Sequence, residues 1–292
     1  MTKTSADRTL KLWTRLGTAG VAGLTAASMT LAAGAGAASE LNLKTGKTAA
    51  GFQLAQGGEG GEGGEGGEGG EGGEGGEKGT ASRSGSGDAD FLTLLGLVEG
   101  HLRAGMELYR QGAADMAKTH MKHPSDELYV DLEPALVSRK REGFAPSLER
   151  LAHAIETGRP VDEAQKAFDA ALADIDRARA ASTGLGDHLK SITNLVRKAA
   201  DEYGEGVKEG KIVELHEYQD AWGFTQAAKA QLASLSSDDR TRMGKSFDEI
   251  ARELDSLDSA WPALIAPKSI TADASVLYGA AARIEIAALA VK

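Results

Sequence analysis

The sequence predicts an all-α fold: two antiparallel helical bundles, arranged as pseudo-repeat halves, after a signal peptide and a disordered Gly/Glu-rich linker. Three observations predict it. Beyond residue 90 the apolar residues recur at three- and four-residue steps, most cleanly at Val161, Ala164, Phe168, Ala171, Leu172 and Ile175. Strand signals are almost absent, with few β-branched runs and no hairpin turn. Aromatic residues make up only 5% of the chain, so alanine and leucine must do most of the packing, through close helix contacts.

Taken in order, the chain opens with a basic segment (Lys3, Arg8, Lys11, Arg15) and an apolar run from Leu16 to Ala33. Ala35-Gly36-Ala37 then offers a cleavage site. Residues 1–37 are therefore expected to be a signal peptide, and the remainder to be periplasmic or secreted, with no membrane insertion after cleavage. Residues 38–89 are expected to form a disordered linker. Its GGE repeat places glutamates at 59, 62, 65, 68, 71, 74 and 77, where glycine entropy and like-charge repulsion oppose order.

The first half, residues 90–186, starts with a helix from about Phe91 to Gly112, the latter a candidate C′ glycine. A second helix from about Ala114 is expected to kink or break at Pro124, and Pro134 marks a further break. Helical pattern resumes over Ala135–Glu142, Ser147–Glu156 and Val161–Ala181. The second half, residues 187–292, holds a helix ending at Gly206 or Gly210, another from Lys211 to Leu235, and a third from Asp238 to Leu257 capped by Ser237. A last helix starts at Thr271 or Asp273.

The formal net charge of −10 argues against nucleic acid and anionic lipid as main partners. With no cysteine, thiolate metal sites, iron–sulfur clusters and covalently attached haem are excluded. No Ser-His-Asp order, HExxH or phosphate loop is present, so a catalyst is not expected.

Three of the six histidines, His101, His120 and His123, fall within one stretch. His120 and His123 are three apart and share a helix face, with carboxylates in reach. A register with Gly112 over Gly210 fits the expected helix start better, but Gly112 over Gly206 aligns Tyr109 with Tyr203, His120 with Glu214, His123 with Glu217 and Asp126 with Asp220. Each half then presents two potential ligands three apart. Facing helices of a bundle commonly build metal sites this way. The expected ligands are His120, His123, Glu214 and Glu217, with Glu127, Asp126 or Asp220 completing the shell. Glu214 and Glu217 share a face from which His216 points well round. Imidazole with carboxylate suits a transition-metal ion, Fe, Zn, Mn or Cu, rather than Ca or Mg. Tyr109 and Tyr203 read as bundle packing, and His153 and His188 as histidines without a ligand role.

The block from Tyr203 to Phe224, YGEGVKEGKIVELHEYQDAWGF, resembles the soluble periplasmic helical region attached to bacterial iron permeases. Its Gly-Lys-Ile and Glu-Tyr-Gln-Asp-Ala-x-Gly-Phe runs are the most specific pieces. Tyr109-x-x-Gly112 is similar to the first half of that region. The globular part also looks distantly like imelysin-type periplasmic proteins, although the only His-x-x-Glu match, His153 to Glu156, lies away from the signature's place. The resemblance implies an all-helical domain that binds iron or delivers it to an inner-membrane permease. This chain has no permease helices. The competing expectations are a helical scaffold module and an imelysin-type peptidase.

Overall fold

The computed structural model describes residues 87–180, 184–265, 267 and 269–291, all within one compact unit. The expected signal peptide, and the linker up to residue 86, lie outside the described residues. Ten α-helices follow one another: α1 (Asp88–Arg110), α2 (Ala114–His123), α3 (Tyr129–Ser138), α4 (Ala145–Glu156), α5 (Val161–Arg179), α6 (Leu185–Gly206), α7 (Leu215–Ala233), α8 (Ser237–Met243), α9 (Lys245–Ser256) and α10 (Ala274–Leu289). A π-helical turn (Pro124–Leu128) joins α2 to α3, and a 3₁₀ turn (Leu257–Ala260) follows α9. The all-α class is as the periodicity predicts, and no described helix is long and apolar enough to cross a membrane.

Helix α1 is the axis of the fold. It is buried nearly all round, from Phe91 through Leu95, Leu102 and Met106 to Tyr109, which marks a helix enclosed by others. Around it stand α2, α5, α6 and α7. Helices α6 and α7 pair as a hairpin, α10 lies along α6, and α4 packs on both α2 and α5. One apolar core runs through the helices, from Leu95 and Met106 across Leu195 and Phe224 to Leu277 and Ile284.

Several local expectations change. The α6–α7 connection is a two-residue antiparallel ladder, Val207–Lys208 (β1) with Lys211–Ile212 (β2). Glu209 (φ 52°) and Gly210 (φ 72°) form its left-handed turn. Two residues a side are too few to leave an alternating pattern. Pro134 does not break the chain but lies inside α3, which stops at Ser138 instead of running on to Glu142. The missing N–H costs one bond of the helix ladder. The expected helix from Asp238 to Leu257 is divided by Gly244 (φ 54°) into α8 and α9, and Ser236, not Ser237, caps α8. Gly112 (φ 80°) and the Asp273 cap sit where the sequence puts them. The hydroxyl of Tyr109 donates to the Arg159 carbonyl and that of Tyr203 to the Ala260 carbonyl, so both are packed and tethered.

Candidate metal centre

Three glycines bring α1, α2 and α7 close enough to build a site. A Cβ on Gly223 of α7 would lie 2.3 Å from the Gly100 carbonyl oxygen, and one on Gly100 would meet the Phe224 ring at 2.5 Å. The α1 and α7 backbones therefore touch, which only glycine permits. Gly105 plays the same part against α2, where a Cβ would meet the Met121 side chain at 2.2 Å and the His120 Cβ at 3.2 Å. His101 follows Gly100, His120 flanks the Gly105 contact, and Asp220 lies one turn before Gly223. Close approach of the backbones thus turns three side chains from three helices toward one point.

At that point stand four histidines and one aspartate. Asp220 Oδ1 lies 2.7 Å from His101 Nδ1 and 2.8 Å from His120 Nδ1, and Oδ2 lies 3.3 Å from His216 Nδ1. His216 and Asp220 are four apart on α7 and share a face. The His123 ring sits 4.4 Å from that of His216 and 5.4 Å from that of His101, centroid to centroid. His101, His120 and Asp220 are buried, whereas His123 and His216 are half-buried toward solvent. The ligand atoms fall into two triads, His101–His123–Asp220 and His120–His216–Asp220, each with its members within 4.8 Å of one another. The π-turn that begins at Pro124, just after His123, is a distortion frequently found at functional sites.

Hydrogen bonding fixes part of the chemistry. The Gln219 amide donates to the Leu264 carbonyl at 3.0 Å, so its oxygen accepts from His120 Nε2–H at 2.9 Å. The other nitrogen of His120, Nδ1, is thereby aimed at Asp220. With Nε2 protonated, Nδ1 either carries a second proton or presents a lone pair, and the second state needs a cation beside the carboxylate. Burial alone would raise the Asp220 carboxyl, but the charges of and hydrogen bonds from His101 and His120 outweigh it and hold it well below the usual carboxylate range. Burial, reinforced by the neighbouring imidazoles, overcomes the attraction of Asp220 and pushes His216 down to about 3, leaving a neutral ring at neutral pH. Among the described residues, buried His123 Nδ1 and His216 Nε2 have no hydrogen-bond partner. An unsatisfied buried polar atom costs about 1–3 kcal/mol. Two of them in one cluster, beside an ionised carboxylate, fit a set of imidazoles arranged for a metal ion.

Of the expected ligands, the structure brings His120, His123 and Asp220 together. Glu214 is the exposed N-cap of α7, and Glu217 is directed at Glu202 of α6. Burial first, then the hydrogen bond and charge of Glu202, raise Glu217 to about 9. Glu127 is half-buried in the π-turn and belongs to neither triad, and the Asp126 side chain is outside the described part. His153 is exposed, and His188 is half-buried beside the Gln231 amide. His101 and His216 were not among the expected ligands. The signal for His216 was its place four residues before Asp220, whereas His101 has no histidine or carboxylate three or four positions away on α1 to reveal it.

Residues 180–290 match the family model described as the iron permease-associated 4-helix bundle domain. That span covers α6 to α10, and with them His216 and Asp220, while His101, His120 and His123 lie before it. No curated protein and no solved structure matches the chain. The likeness to imelysin-type proteins finds no counterpart in these comparisons.

Proposed function

We propose that this protein is a periplasmic metal-binding protein that captures a transition-metal ion, iron as the physiological cargo, for an inner-membrane iron permease. His101, His120, His123, His216 and Asp220 hold the ion. The observation that carries the reading is the buried His/Asp cluster with unpartnered imidazole nitrogens at His123 and His216. Its α7 residues lie in the segment that matches a permease-associated bundle, and that likeness supports the iron assignment and the permease partner.

His123 and His216 form the solvent side of the cluster, and His101, His120 and Asp220 its floor. An ion arriving from solvent meets a neutral His216 first and moves inward against the ionised Asp220. Gln219, held by the Leu264 carbonyl, keeps His120 turned with Nδ1 inward. Such outer partners orient ligands and typically tune affinity 10–100-fold. The donor set is four nitrogens and one carboxylate, richer in imidazole than His-x-x-His with Glu-x-x-Glu would be. It suits iron, copper and zinc, and excludes the oxygen-only preference of calcium and magnesium. Intrinsic affinity rises toward copper along the divalent series, so preference for iron rests on supply and geometry. On this reading the protein binds its ion and hands it on.

Anaerobic equilibrium dialysis of the purified full chain against Fe(II), with elemental analysis, tests the reading. Wild type should retain iron at micromolar concentration, and His120→Ala should lose at least tenfold in affinity. Retention unchanged in His120→Ala, or no retention of Fe(II), Cu(II) or Zn(II) by wild type, would favour a helical scaffold instead.

A further inference from the structure

We infer that the centre holds two ions rather than one, with Asp220 as the bridge between them. The inference rests on the metal-binding reading and concerns the stoichiometry and coupling of the same site.

The five side chains do not converge as a single set. A lone ion with metal–ligand bonds of about 2.0–2.2 Å keeps all its ligand atoms within roughly 4.4 Å of one another, twice the bond length. Here that closeness, to 4.8 Å, exists only inside each triad. His101 and His120 have ring centroids 6.4 Å apart, and they belong to different triads. Asp220 alone belongs to both. Its Oδ1 meets His101 of one triad and His120 of the other, and its Oδ2 meets His216, so both carboxylate oxygens are engaged and the carboxylate is the group the triads share. A carboxylate offers two oxygens to two metals, whereas a neutral imidazole offers one lone pair. Metal pairs typically sit about 3.5–4 Å apart.

The unpartnered nitrogens divide in the same way. His123, with its unpartnered Nδ1, belongs to the first triad, and His216, with its unpartnered Nε2, to the second. Each half of the cluster thus keeps one buried nitrogen aside from the hydrogen bonds that assemble it. The two rings that carry these atoms lie 4.4 Å apart, so the half-sites adjoin. The triads also differ in their support. His120 is fixed through Gln219, while His123 stands at the junction with the π-turn, so the His120–His216 half is the more rigid and is expected to fill first.

Cu(II) and Zn(II) are the probes. Zn(II) titration of the full chain, followed by dialysis and elemental analysis, should give two ions per chain in wild type. It should give one in His123→Ala and one in His216→Ala, with circular dichroism verifying that the helices persist. In Cu(II)-loaded wild type, which needs no variant, electron paramagnetic resonance should show a half-field transition and fewer than half of the spins expected for the copper content. Ions scattered along the acidic N-terminal region would be magnetically uncoupled and give full spin count. One ion in wild type, lost in both variants, would overturn the pair while leaving the metal-binding reading intact. Two uncoupled ions, or two ions retained in both variants, would also overturn the pair. No ion in wild type would remove both readings together.

Discussion

Helix α1 carries two buried polar clusters two residues apart, and they are built on opposite principles. At Glu99, which is 3% exposed, both carboxylate oxygens are taken. Arg179 reaches Oε2 at 2.5 Å and Arg103 reaches Oε1 at 2.6 Å, while Arg179 also holds Asp176 at 2.7 Å. Charges of both signs meet there, and the carboxylate has no oxygen left to offer a ligand. At His101 one carboxylate faces three imidazole nitrogens, and two further nitrogens in the cluster have no partner. In the first cluster the one buried polar atom without a partner among the described residues is the Arg179 Nε–H, a donor that cannot ligate a cation. The second is left open in donors, as a binding site must be. Burial and proximity are common to both, so neither identifies a site. What separates them is the kind of atom left over, imidazole nitrogens able to offer a lone pair in the second and only a guanidinium N–H in the first.

The largest expected effect separates the clusters by stability. Glu99→Ala leaves Arg179 buried without its main counter-charge, and breaking such a pair costs about 3–5 kcal/mol. Chemical denaturation of the metal-free protein should show that loss, while Zn(II) affinity of the folded variant stays within about twofold of wild type. A matching collapse of metal binding would mean that the clusters act as one.

Asp220→Asn reverses the pattern. The substitution keeps shape and an acceptor oxygen but removes the only carboxylate within either triad. Metal affinity should fall at least 100-fold, about 2.8 kcal/mol at about 1.4 kcal/mol per decade. Denaturation of the metal-free variant should change much less than in Glu99→Ala. Isothermal calorimetry with Zn(II) and a urea melt, run on both variants, give the crossed result that the comparison requires. Equal losses in both columns would reduce Asp220 to a structural group.

Gln219→Leu should have an intermediate effect, because Gln219 acts through His120 and is a positioning residue. The loss in Zn(II) affinity should be about 10–100-fold. It should be largely restored by Gln219→Glu, which can still accept from His120 Nε2–H. A loss that Gln219→Glu does not restore would show that Gln219 matters only for packing against the Leu264 segment.

The fold was legible wherever its cause is periodic and local. The three- and four-residue apolar steps give α5 nearly to its ends, and Gly112 and Asp273 mark helix boundaries by well-defined backbone chemistry. The β1–β2 turn was not legible, since its Glu209-Gly210 pair lacks the Asn or Asp that announces such turns. The candidate centre was half legible. His120 and His123 reveal themselves by spacing, and Asp220 by its place in the aligned halves. The alignment also selected Glu214 and Glu217, which share a face with each other but not with the cluster. What brings His101 to Asp220, 119 residues away, is the Gly100–Gly223 contact. Such a crossing is a property of two helices together, and neither sequence segment carries it alone.

The smallest expected effect falls on Arg103, the exposed arm of the closed cluster. Its side chain is 27% exposed and pairs with Glu99 four residues earlier on the same helix. Solvent screens a pair of this kind, and helix pairs at that spacing contribute about 0.3–0.5 kcal/mol. Arg103→Ala should therefore lower stability by less than about 1 kcal/mol, and raising the salt concentration should shrink the difference further. Glu99 keeps its buried partner Arg179 in this variant, so the costly event, an uncompensated interior charge, does not occur. Zn(II) affinity reports on the distinction between the clusters. If the Glu99 network is closed, removing its outer arm leaves affinity unchanged within error at both low and high salt. A salt-dependent gain in affinity would instead show that the carboxylate freed at Glu99 is felt at His101, and that the two clusters on α1 share one electrostatic field.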